Sequence, residues 1–146
     1  MRGDPAHPTV SGMVGRIRRG LAYAPSGAPP AVQRVIWAAN RIRRRPYVWG
    51  GGHRSFRARG YDCSGAVSYA LHGGDLLRSP MTSSSLERWG AAGRGRWLTV
   101  YANGGHAWML VAGLRLDTSG PGARGPRWRR QRRSGAGFVA RHAPGL

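Results

Sequence analysis

Tyr61-Asp62-Cys63-Ser64-Gly65 runs without a break into Ala66-Val67-Ser68-Tyr69-Ala70-Leu71, and the fold is decided at this junction. Small and apolar residues at helical spacing follow the cysteine. Asp62 is a suitable N-cap for the helix they predict, and Gly73-Gly74 a suitable stop. Just upstream, Pro46-Tyr47-Val48-Trp49-Gly50-Gly51-Gly52 is opened by proline and closed by glycines, so it cannot continue a helix. Cys63, the only cysteine, therefore stands where a glycine-rich loop turns into a helix. The first N–H groups of a helix carry partial positive charge, which favours a thiolate placed beside them. Asp62 opposes that effect, so a thiolate here needs further help.

The help expected is a histidine. A cysteine nucleophile requires a base within hydrogen-bond reach and a group that holds the base in position. His7 lies near the start and His142 near the end, without supporting context. His72 is nine positions along the predicted helix, about 13 Å from Cys63 at 1.5 Å rise per residue. His53, in the glycine loop, stays a candidate. His106 has the best setting. It follows the turn Asn103-Gly104-Gly105 and opens a strand-like run, with Trp108 and Leu110 on its own face. If Ala112-Gly113 is a two-residue turn, His106 pairs with Ser119 and Asp117 lies diagonally on the same face. Only five acids occur (Asp4, Asp62, Asp75, Glu87 and Asp117), so a carboxylate there is informative. Cys63, His106 and Asp117 form a chemically sensible triad.

Around this centre, Pro30 opens an expected helix with Val32, Val35, Ile36 and Ala39 on its apolar face, ending by Arg45 before Pro46. Residues 80–90 predict a third helix with Leu86 and Trp89 buried. Trp97–Ala102, His106–Val111 and Leu114–Thr118 predict successive strands, and Phe138–Arg141 a last one. Residues 119–137 are rich in Gly, Pro and Arg and read as loop. Residues 1–29, with four prolines and weak periodicity, read as a flexible basic arm, leaving 30–146 as the folded domain. Val14, Ile17 and Leu21 suggest at most a turn of helix within the arm. Helices first and an antiparallel sheet second make an α+β order.

The ordered set Pro46-Tyr47-x-Trp49-Gly50-Gly51, Asp62-Cys63-Ser64-Gly65, His106 at a strand start and Leu116-Asp117-Thr118-Ser119 resembles the NlpC/P60 family of cysteine peptidases. The resemblance covers roughly residues 30–146. Tyr101–His106, Gly125–Trp128 and Gly137–His142 look like an actinobacterial branch of that family. It implies a papain-like α+β fold, with N-terminal helices packed on an antiparallel sheet, and hydrolysis of amide bonds in peptidoglycan stem peptides. By position, Cys63 resembles the nucleophile, His106 the general base and later acid, and Asp117 the third polar residue. That third residue is often His, Asn or Gln in the family, so an acid is a departure. Tyr47 matches a tyrosine near the nucleophile. Asp62 and Ser64 match positions that line the substrate subsite, where the carboxylate meets the free amine of the stem peptide. No metal or cofactor is implied.

With 146 residues the chain makes one domain, and 24 glycines and 10 prolines leave much of it as loop. The formal charge is +19, and every basic residue other than histidine is arginine. Such a charge attracts polyanions, whether nucleic acid, anionic lipid or wall polymers, without choosing among them. A single cysteine excludes an intramolecular disulfide and a cysteine-based zinc site. No apolar run approaches the roughly 20 residues of a membrane span, and no secretory signal is readable. The resemblance implies an extracellular or wall-associated monomer whose arginines hold it to anionic wall polymers. The rival expectations are a nucleic-acid-binding module built on Trp128-Arg129-Arg130-Gln131-Arg132-Arg133, which is not favoured, and a catalytically idle wall-binding domain.

Overall fold

In the computed structural model, which describes residues 5–122 and 124–146, three helices and nine strands follow one another along the chain. Strands β1 (Thr9–Val10), β2 (Arg16–Arg18) and β3 (Leu21–Pro25) come first. Helices α1 (Pro30–Ile42), α2 (Cys63–Gly73) and the short α3 (Ser83–Leu86) follow. Strands β4 (Ala91–Ala92), β5 (Leu98–Ala102), β6 (Ala107–Val111), β7 (Leu114–Asp117), β8 (Arg127–Arg129) and β9 (Val139–His142) complete the chain. The last six form one sheet in the order β4-β9-β5-β6-β7-β8, antiparallel at every pairing. The α+β class read from the sequence is the one observed, with helices before the main antiparallel sheet from Pro30 onward and three strands preceding them.

Helix α2 lies between α1 and the sheet, which is why it is apolar on nearly every side: Ser64 to Ser68, Ala70 and Leu71 are all buried. The helices approach closely because Gly73 faces Ala38 and Gly74 faces Val35 and Ala31, where a Cβ would collide. Helix α1 opens on Pro30 without a side-chain cap and buries Val32, Val35, Ile36 and Ala39, as expected. Across the sheet, Ala112 (φ 49°) and Gly113 (φ 81°) close a two-residue turn between Val111 and Leu114. This turn fixes the register of β6 and β7, and with it the alignment of their far ends.

Three expectations fail. The segment before residue 30 is not a free arm: β1, β2 and β3 form a sheet of their own, ordered β1-β3-β2. The expected turn of helix there is instead a hairpin, with Arg19 (φ 52°) and Gly20 (φ 76°) at its tip. Ala22 and Ala24 point inward and are fully buried, but alanine carries too weak an apolar signal to reveal a strand. The expected helix over 80–90 is only the single turn Ser83–Leu86, capped by Thr82, because three serines sustain little more. Leu86 and Trp89 are nevertheless buried. Lastly, the loop expected over 119–137 contains β8, whose Trp128 sits opposite Leu116. Trp128 is buried and donates its indole N–H to Asn40 Oδ1 at 2.9 Å, so it offers no stacking face to a nucleic-acid base.

Asn40 was not singled out from the sequence, yet it joins three elements. Its Oδ1 also accepts the Ala22 N–H at 2.9 Å, and its Nδ2 donates to the Ala22 carbonyl at 2.9 Å. Asn40→Ala would leave three buried polar groups unpaired. We expect it to lower the unfolding free energy by about 2–4 kcal/mol. Urea titration would measure this; a loss within error of zero would mean that the N-terminal sheet is not held through Asn40.

Candidate active site

The site is assembled from the start of α2 and the adjoining ends of β6 and β7. Cys63 is the first residue of α2, and the Asp62 carboxylate caps the helix by accepting the Gly65 N–H at 2.7 Å. Asp62 has more than that to do. Its Oδ2 accepts the Gly50 N–H at 3.2 Å, and its Oδ1 lies 2.8 Å from His53 Nε2 and accepts from Ser64 Oγ at 3.3 Å. Ser64 Oγ lies 3.1 Å from the same His53 nitrogen. The glycine loop is thus drawn over the helix start by polar contacts, and Gly65 admits the Gly51 carbonyl against its Cα where a Cβ would collide. His53 is tied to Asp62 rather than to Cys63.

Opposite the thiol stands His106, immediately before β6. Asn103 shapes this approach: its Oδ1 accepts the N–H groups of Gly105 and His106, both at 2.9 Å. His106 Nε2 lies 2.8 Å from Asp117 Oδ1. The ring and the Ala107 N–H both act on the Cys63 thiol. Burial raises the Cys63 thiol pKa, but the hydrogen bonds from His106 and Ala107 and the charge on His106 outweigh it, so the net shift is downward. Burial likewise lowers His106, yet its hydrogen bonds to Asp117 and Cys63 push it up to about 9. Asp117 feels burial as a raising influence, overcome by His106, the Ser119 N–H and Arg133, and is held down at about 2. Together these shifts favour a thiolate beside an imidazolium.

The expected residues therefore fall into two groups. Cys63, His106 and Asp117 form a continuous chain of contacts. Asp62 and Ser64 form a second cluster with His53 at the same helix start. Tyr47 is 45% exposed beside both groups: burial first, then the charges of Cys63 and Asp62, raise its pKa. His72 belongs to neither, since it stacks on Phe56 with ring centroids 3.9 Å apart. Two residues at the site escaped the sequence reading. Arg115 Nε and Arg133 Nη1 reach Asp117 Oδ2 at 2.9 and 2.8 Å. Arg115 stands two positions before Asp117 on one strand, a same-face spacing that could have revealed it. Arg133 lies 16 residues further on, past β8, and no local pattern marks it. Among the described residues no group of three or more His, Cys, Asp or Glu side chains is arranged to hold a metal ion.

Among solved structures, the crystal structure of the P60 domain of an antigen from M. avium subspecies paratuberculosis superposes with a TM-score of 0.58. The two sequences are 27% identical, over 76% of this chain and 93% of that one. The chain has an NlpC/P60-like fold. No family model and no curated protein matches the sequence. In this NlpC/P60-like chain the helix carrying Cys63 is buried against the sheet carrying His106 and Asp117. The three side chains therefore meet where that helix packs on the sheet, with His106 held at the start of β6 by the Asn103 turn.

Proposed function

We propose that the protein is a cysteine peptidase that hydrolyses amide bonds in peptidoglycan stem peptides. What carries this reading is Cys63 at the start of a helix in an NlpC/P60-like fold, its thiol pKa lowered by His106, whose Nε2 lies 2.8 Å from Asp117 Oδ1. The Cys63 thiolate attacks the amide carbonyl, forming a C–S bond and a tetrahedral oxyanion. The N–H groups of the first turn of α2 stabilise that oxyanion; those of Gly65 and Ala66 are taken by Asp62, which leaves Cys63 and Ser64 for the task. His106 gives its proton to the leaving nitrogen as the C–N bond breaks. It then takes a proton from water, which attacks the thioester and releases Cys63 as the C–S bond breaks.

For substrate binding, Asp62 Oδ2 accepts, among the described residues, the Gly50 N–H alone and keeps a lone pair for a peptide ammonium, with Tyr47 nearby. Arginines supply the second contact with the wall. A cleft of about 390 Å³ is lined by Arg18, Arg19, Leu21, Tyr23, Arg43 and Arg44, with no acid among them. An anionic wall polymer would complement this cleft, and an extracellular location would bring the protein to it. Incubation with purified muropeptides, followed by mass spectrometry, tests the reading: new peptide termini support it, and intact muropeptides at high enzyme concentration overturn it.

The pH profile follows from the two shifts. The rate should rise as Cys63 ionises, below the ordinary thiol value of 9.0, and fall as His106 loses its proton at about 9. Above that point the leaving amine has no proton donor. A kcat/KM that keeps climbing beyond about pH 10 would remove His106 as the acid.

A further inference from the structure

Asp117 is unusual in how completely it is used. Its side chain is fully buried, and four donors fill its lone-pair sites. Oδ1 receives His106 Nε2 at 2.8 Å and the Ser119 N–H at 2.9 Å. Oδ2 receives Arg115 Nε at 2.9 Å and Arg133 Nη1 at 2.8 Å. The two guanidiniums differ in their other ties. Arg115 also donates to the carbonyls of Gln131 and Ser119, at 2.7 and 3.1 Å, and so belongs to the framework. Arg133 makes its hydrogen bond to Asp117 while its guanidinium lies over two rings, 5.6 Å from the Trp108 centroid and 5.2 Å from that of Phe138. Phe138 in turn meets the His106 ring edge-on at 6.2 Å. Arg133 is thus built into the wall around the histidine and the acid.

We propose that Arg133 is a positioning residue for the Cys63–His106 pair, countering the Asp117 charge on the oxygen that His106 does not use and so limiting how tightly the imidazolium holds its proton. An uncompensated buried carboxylate would fix a positive imidazole firmly and make it a reluctant acid toward a leaving amine. With two guanidiniums donating to Oδ2, the carboxylate still orients the ring, but much of its charge is met elsewhere. The acid at a position where the resembling family often has His, Asn or Gln is thereby brought closer to a neutral acceptor. The charged and titratable groups around the pair are Asp117 and Arg115 on β7, Arg133 before β9, Cys63 and Asp62 at the start of α2, and Tyr47 in the loop. Arg129 on β8 adds a positive charge that senses Asp117 at longer range.

The assignment rests on the reading of His106 as acid and base, but its test needs no substrate. The ring resonances of His106 are followed by NMR across about pH 5–11 in the wild type, Arg133→Gln, Arg133→Lys and Arg133→Met. Removal of the positive charge should move the His106 midpoint up by about 0.5–1 unit in the Gln variant. The Met variant keeps apolar contact with Trp108 and Phe138, so it should give the same rise even if Gln loosens the segment. Lys, which restores the charge, should return the midpoint close to the wild-type value. An unmoved midpoint, a downward shift, or a failure of Lys to restore it would each overturn the proposal. A wild type that titrates as expected yet leaves muropeptides intact would instead remove the peptidase reading and leave the electrostatic role of Arg133 standing.

Discussion

Asp117→Ala should lower the unfolding free energy by about 3–5 kcal/mol near neutral pH, since it strands buried guanidiniums without their counterion. Arg115 has 8% of its side chain exposed and cannot swing into water, whereas Arg133, at 27%, has a partial escape. Asp117→Asn keeps an acceptor for His106 and for the Ser119 N–H but turns its amide donors toward Arg115 and Arg133, so it should recover little of this loss. The pH dependence carries a signature. The Asp117 pKa is depressed from 3.8 to about 2, so its contribution is complete above 3.8 and disappears as pH falls through 2. The His106 pKa is raised from 6.5 to about 9, so its contribution is complete below 6.5 and disappears as pH rises through 9. The difference between wild type and Asp117→Ala should therefore be largest between these ranges and shrink toward both extremes. Urea unfolding at a series of pH values measures it. A flat difference would mean that Asp117 stabilises by packing rather than by charge. Turnover in the variant should fall about 10²- to 10⁴-fold, because the imidazole loses its orienting partner but the thiol remains.

The same residues show what a sequence can and cannot disclose. Cys63 and Asp62 were legible because a helix start has a local grammar: a capping acid, small residues, and a glycine-rich run before it. His106 and Asp117 were legible because a two-residue turn fixes a hairpin register arithmetically, and β6 and β7 keep that register. The six-stranded sheet was only partly legible. Strands β5, β6 and β7 are rich in β-branched and large apolar residues, whereas β8 alternates arginine with one inward tryptophan. An edge strand that buries a single side chain carries almost no periodic signal. The N-terminal sheet was hidden for a related reason: it is held by inward alanines and by the amide of Asn40, neither of which announces a strand. Arg133 lay beyond reach altogether, because a charge that finds its partner 16 residues away, with a separate strand between, is a tertiary fact. The high arginine content made it harder, since no single arginine stands out among 24.

Cys63→Ala should abolish muropeptide cleavage while leaving the fold within about 1 kcal/mol of the wild type. The second half of the statement follows from position. Cys63 begins α2, but the cap is Asp62, and its bonds to Gly65 and Gly50 do not involve the sulfur. The first half follows from the lack of a substitute. Ser64 is the next residue along, but it is buried and its oxygen is engaged with His53 and Asp62, on the side of a different histidine. It cannot reach the carbonyl that Cys63 would attack without dismantling that cluster. His106→Ala should spare the thiol but take away the largest influence that lowers its pKa, leaving burial to act unopposed by an imidazolium. Alkylation of Cys63 by iodoacetamide should then need a higher pH, which a rate-against-pH series would show directly. The two variants thus separate the nucleophile from its activation. If Cys63→Ala retained cleavage within about tenfold of the wild type, acyl transfer through a thioester would be excluded, and the contact chain from Cys63 to Asp117 would be structural rather than chemical.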